Sequence, residues 1–178
     1  IKMRVTLYIL LNIMICGCFT NESKNMESLK TVSKVDIERF MGDWYVIANI
    51  PTFLEKNATN AIESYQLNDK GDIDATFSFY QNSPTGKKKV YHPKGFIYNS
   101  TTNAEWRMQF LWPFKMPFLI IDLDDEYSYT VIGYPSRNYV WIMARKPQLP
   151  EKTYQSILKN LEYVGYDISR INKVPQVW

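Results

Sequence analysis

From Trp44 onward the chain alternates. Trp44, Val46, Ala48 and Ile50 share one face of an extended run, with Tyr45, Ile47 and Asn49 on the other, and Pro51 ends it. A polar loop is expected over 52–59, then a strand over 61–67 and a hairpin turn at Asn68-Asp69-Lys70-Gly71. Ile73, Ala75, Phe77 and Phe79 alternate with Asp74, Thr76, Ser78 and Tyr80, the cleanest period-two stretch of the chain. After a turn at 82–86, strands are expected over 88–98, 105–111, 118–123, 127–134 and 139–145. Strands that follow one another through short loops close most naturally into an up-and-down barrel. The expected architecture is therefore all-β, an eight-stranded antiparallel barrel. A helical turn precedes it at 35–41. One C-terminal α-helix packs outside, because Tyr154, Ile157, Leu158 and Leu161 are spaced i, i+3, i+4, i+7 between Pro150 and Gly165. The tail from 168 to 178 is expected to add a short edge strand.

The two ends of this pattern carry a pairing signal. Gly42 and Trp44 open the first strand and Arg145 closes the last. A guanidinium over an indole face is a favoured cation–π pair, and first and last strands meet only if the sheet closes.

Ahead of the barrel the character changes. Lys2 and Arg4 flank an apolar run from Val5 to Ile15, too short for a hydrocarbon core that needs about 20 residues. It reads as a secretory signal over residues 1–17. Ile15-Cys16-Gly17-Cys18 resembles the bacterial lipobox, which implies that Cys18 is acylated as the lipid anchor; an ordinary signal peptide with chance cysteines is the alternative. Residues 18–34 then form the acylated Cys and a polar tether, and 35–178 the folded domain. By the same resemblance, Phe19 in place of an Asp favours the outer membrane.

Composition narrows the chemistry. The net charge of +3 falls to near neutral once Lys2 and Arg4 are removed, which excludes nucleic acid as a partner. Lys87-Lys88-Lys89 is the one basic cluster, either a solvated edge-strand guard or a contact for anionic lipid. Both cysteines lie before the folded body, and there is one histidine, His92. No Gly-x-Ser-x-Gly elbow, clustered metal ligands or phosphate-cradling glycine loop occurs. An enzyme is not expected, nor a metal, nor a cofactor.

Eight strands, Gly42-x-Trp44 at the first, Arg145 at the last and a helix behind resemble the lipocalin family over about residues 35–176. The stretches 42–50 and 139–147, with the lipobox, are most similar to its bacterial outer-membrane lipoproteins. Asp124-Asp125-Glu126-Tyr127 matches the family's second motif only in part, since its Thr is missing. The resemblance implies that Trp44 plugs the closed end of a cup and Arg145 covers it from outside, a structural role for Gly42, Trp44 and Arg145. Strand parity then nominates the inward residues of the calyx: Ala48, Ile50, Tyr65, Ala75, Phe77, Phe79, Trp106, Met108, Phe110, Tyr139 and Trp141. Glu63 shares the face of Tyr65. A slip of one residue would turn any of them outward.

The expected function is the carriage or storage of a fatty acid or lysophospholipid at the outer membrane, the domain anchored by its acyl chains and facing the periplasm. The alternative is an anchored barrel with a filled interior that acts as a protein-interaction module. The apolar run Trp112-Pro113-Phe114-Lys115-Met116-Pro117-Phe118 reads as a lip touching membrane or cargo, as a homodimer patch, or as loop packing.

Overall fold

The computed structural model describes residues 27–178; the signal segment, Cys18 and the first part of the tether lie outside the described residues. A short helix α1 (Ile37–Phe40) is capped by the Asp36 carboxylate, which accepts from the Arg39 amide at 3.2 Å. The strands follow as β1 (Gly42–Ile50), β2 (Ala58–Leu67), β3 (Ile73–Gln81), β4 (Lys87–Tyr91), β5 (Lys94–Ile97), β6 (Glu105–Leu111), β7 (Phe114–Leu123), β8 (Tyr129–Gly133) and β9 (Val140–Ala144). Every pairing is antiparallel, and β9 returns to β1 from Tyr45↔Ala144 to Ile50↔Val140.

The single strand expected over 88–98 is split into β4 and β5 at His92-Pro93. Proline brings no N–H to a ladder, and here the Pro93 carbonyl instead accepts from Ala75 at 3.1 Å. Both halves pair with β3, so they act as one barrel strand and the closed barrel has eight, as the pattern predicts. Two more boundaries move. β7 begins at Phe114, so the apolar run is a tight hairpin rather than an open loop, and β2 begins at Ala58.

The barrel sorts its apolar residues into two clusters. Trp44, Val46, Tyr65, Phe77, Phe79, Trp106, Met108 and Met143 belong to the interior. Helix α2 (Glu151–Tyr163) lies outside and buries Tyr154, Ile157 and Leu161 against Val131, Val140 and Ile142. Each such side chain, fully buried, contributes about 1.5–3 kcal/mol, enough to hold a single helix on the wall. Its end is fixed by Gly165 at φ +94°, whose amide bonds Glu162 while that of Tyr166 bonds Leu161, and these two apolar side chains share the outer cluster. Strand β10 (Asn172–Lys173) then adds to β1 at Ala48 and Asn49.

Ala48 and Ile50 do not point inward. Both belong to the outer cluster under α2. The ladder to β9 shifts register between Val46 and Ala48, a bulge that reverses the faces of the strand beyond it. Asn49 is the residue that turns to the interior, where its amide reaches Glu55.

Candidate functional site

At the closed end, Trp44 is fully buried and its indole N–H donates to the Phe40 carbonyl at 2.9 Å. The Arg145 guanidinium lies 3.8 Å from the Trp44 ring centroid and donates to the carbonyls of Asp43, Arg39, Phe40 and Met41 at 2.7–3.1 Å. Gly42, at φ +94°, carries the chain past it; a Cβ there would stand 3.4 Å from the guanidinium. Tyr127 adds a clamp, its hydroxyl accepting from the Asp36 amide at 2.8 Å and its ring lying under Arg39.

Above this seal Phe40, Trp44, Tyr65, Trp106 and Phe118 form a floor of rings with centroids 5.0–6.0 Å apart. Edge-on and offset contacts of this kind are favourable beyond their burial. Tyr65 and Trp106 are fully buried in this layer and do not reach the cavity, so they are floor rather than wall. Ala75, opposite Tyr65 on the ladder, is buried with them.

The cavity begins one layer higher, with a volume of about 250 Å³. Of the residues that parity nominates, Phe77, Met108, Phe110, Tyr139 and Trp141 line it. Phe79 is buried beside it, its ring centroid 5.2 Å from that of Phe77 and 6.3 Å from that of Tyr91. Ala48 and Ile50 lie on the far side of the wall.

Much of the rest of the lining comes from two segments that carry no periodic signal. The segment after β1, expected as a polar loop, brings Thr52, Phe53, Leu54 and Glu55 to the mouth. The β6–β7 hairpin brings Leu111, Phe114, Met116, Pro117 and Phe118. Phe53, Trp112 and Phe114 keep most of their surface exposed, at 87%, 81% and 69%. A rim so apolar is unusual for a surface that meets only water.

Two carboxylates share this apolar space. Glu55 is buried, and it accepts from the Thr52 amide at 2.9 Å, from Asn49 at 3.2 Å and from the Trp141 indole at 3.1 Å. Burial raises its pKa, against the pull of those donors. Glu63, on β2, lines the cavity and accepts a hydrogen bond from the Tyr65 hydroxyl. Burial pushes its carboxyl up to about 7, with the neighbouring charge of Glu55 acting in the same direction. Glu63 is foreseeable from parity; Glu55, in a loop, is not. Among the described residues no three His, Cys, Asp or Glu gather to hold a metal ion. A hollow of about 550 Å³ between Asp124, Tyr129 and Pro150 lies outside the barrel and opens broadly to solvent.

A barrel sealed by an indole and a guanidinium and floored by rings has counterparts in fold and sequence among known proteins. Residues 35–176 match the model of the lipocalin-like domain. Temperature-induced lipocalin-1 of Arabidopsis thaliana is 32% identical over 166 residues, covering 87% of this chain and 85% of the relative. Outer membrane lipoprotein Blc of Vibrio cholerae is 25% identical over 175 residues, covering 98% and 99%. Among solved structures, insecticyanin from the tobacco hornworm Manduca sexta superposes with a TM-score of 0.66 at 20% identity, covering 82% and 83%, which speaks to the fold. Motif, barrel and sequence likeness agree: the chain belongs to the lipocalin family.

Proposed function

We propose that this chain is a binding protein that takes a small hydrophobic or amphipathic ligand into its calyx and carries or stores it, with fatty acids and lysophospholipids as the ligand classes. The observation that carries this reading is the cavity itself: apolar side chains from β3, β6, β7 and β9, from the β8–β9 turn and from the segment after β1 surround about 250 Å³ that the core leaves unfilled. Ligand pockets are typically about 300–1,000 Å³, so a single acyl chain would fill the space and extend into the mouth. Each buried methylene contributes about 0.8 kcal/mol before ordering costs. A barrel with a filled interior, acting only through its outer surface, has no use for this space. The hairpin run that sequence left open between lip, dimer patch and packing supplies part of the rim, which favours the lip.

The proposed setting is the bacterial outer membrane, with Cys18 acylated and the domain in the periplasm. It is supported by the likeness to outer membrane lipoproteins and by the lipobox-like Ile15-Cys16-Gly17-Cys18. A carrier tethered beside its lipid source needs little diffusion.

Organic extraction of the purified chain followed by lipid mass spectrometry tests the binding reading. Stoichiometric recovery of an acyl lipid, together with saturable uptake of a fluorescent fatty-acyl probe after delipidation, is expected. Neither lipid nor uptake would overturn it.

A further inference from the structure

Among the described residues, the cavity is lined by two carboxylates and by no Lys, Arg or His. Glu55 is spoken for, since donors from three residues hold it. Glu63 is not. One of its oxygens accepts from Tyr65, and the other has no hydrogen-bond partner among the described residues. That second oxygen is not sealed in protein, because no buried side-chain oxygen or nitrogen there lacks a partner. It is therefore open to the cavity that Glu63 lines. On the ladder Glu63 stands opposite Trp44 on one side and Phe77 on the other, one layer above the ring floor. A polar atom so placed meets whichever end of a ligand enters first.

We propose that Glu63, backed by Glu55, forms a polar subsite deep in the calyx that takes the hydrogen-bond-donating end of a hydrophobic ligand, an amine before a hydroxyl, and disfavours a free carboxylate. The proposal rests on the calyx reading above and goes beyond its ligand classes: an amphiphile enters donor end first, and a fatty acid is accepted only with its carboxylate at the mouth. An ammonium has three donors and no acceptor, so it satisfies the free oxygen and offsets the repulsion between the two carboxylates. A carboxylate brings a third negative charge into a space of low dielectric with no cation to meet it. The hydrocarbon then runs from Glu63 past Phe77 and Trp141 to the rim at Phe53 and Phe114.

Protonation links the subsite to pH. The groups that face Glu63 are Glu55 from the β1–β2 segment, the Tyr65 hydroxyl from its own strand, and the neutral rings of Trp44 and Phe77 from the flanking strands. The phenols of Tyr134 and Tyr139, the Thr52 hydroxyl and the Trp141 indole N–H are the other polar groups of the wall. As Glu63 takes up its proton it becomes a donor as well, and the penalty against a carboxylate ligand falls.

Displacement of Nile red from the delipidated full chain by dodecylamine, dodecanol and dodecanoate, each below its micelle concentration, tests this. Near about pH 8 the amine is expected to compete about tenfold better than dodecanoate, a difference of about 1.4 kcal/mol. That ratio is expected to shrink as pH is lowered to about 5.5, where Glu63 is protonated. In Glu63→Gln, checked for fold by circular dichroism, the amine and acid are expected to converge. Dodecanoate equal to or better than the amine near pH 8 overturns the subsite, whatever the variant does. Displacement by dodecanol alongside that result leaves the calyx reading standing. Nile red that binds but is displaced by none of the three overturns both.

Discussion

Arg145 gives its guanidinium four backbone carbonyls and an indole face, so a charge at the closed end is met on every side that the protein presents. Glu63 stands at the other extreme, a carboxylate with one phenol for company and a second carboxylate nearby. Its charged form is disfavoured in the fold, so folding takes up a proton wherever pH lies between the ordinary carboxylate range and about 7. The sign follows from that uptake. Its stability contribution is fully present in acid and is lost as pH rises from about 4.5 through about 7. Glu63→Gln keeps an acceptor for Tyr65 and removes the titration. Urea denaturation of the ligand-free protein is expected to show the variant more stable than the parent near about pH 8, by up to about 3 kcal/mol. Near about pH 4 that advantage should vanish; an equal difference at both would show that Glu63 does not titrate in this window.

Among the elements, β1 has the most consequence, because it serves two surfaces. Trp44 and Val46 face the interior, while Ala48 and Ile50, past the bulge, face α2. Parity alone carries a strand only as far as its first irregularity, which is why those two residues read as calyx lining from sequence. Ahead of any irregularity the pattern held: Phe77 on β3 lines the cavity, and so does Met108 on β6, at the near edge of the register shift between Met108 and Leu111. Glu55 and Phe53 belong to neither case. A loop has no period, so nothing local marks a Glu that will be buried by the fold of the mouth. Ala48→Leu separates the two surfaces of β1. It overfills the contact with α2 and is expected to cost about 1–3 kcal/mol in urea denaturation. Because the side chain lies outside the barrel, uptake of an acyl probe per folded molecule should stay as it was. Lost uptake with intact stability would place Ala48 inside after all.

At the scale of the whole molecule, the closure of the barrel was the most legible feature. Gly42, Trp44 and Arg145 announce it from opposite ends of the sequence, and the β1–β9 ladder brings them together. Those same residues form the seal, so the binding end had to be sought where the signals are weakest, in the segment after Pro51 and the hairpin at Trp112-Pro113. The molecule is thus sealed at one end and apolar and open at the other, the arrangement that the proposed carriage of hydrophobic cargo requires. Phe77 lies where these halves meet, on the cavity wall and across the ladder from Glu63. Phe77→Arg would put a guanidinium into the cavity with Glu63 at hand to pair with it, so the barrel is expected to survive while the apolar volume is lost. Titration of a fluorescent fatty-acyl probe into the delipidated parent and this variant, with circular dichroism confirming both folds, is the most direct test. Saturable uptake by the parent and at least about a tenfold loss of affinity in the variant is the predicted result. Equal uptake by the two folded proteins would contradict it, because the ligand would then lie somewhere other than the calyx.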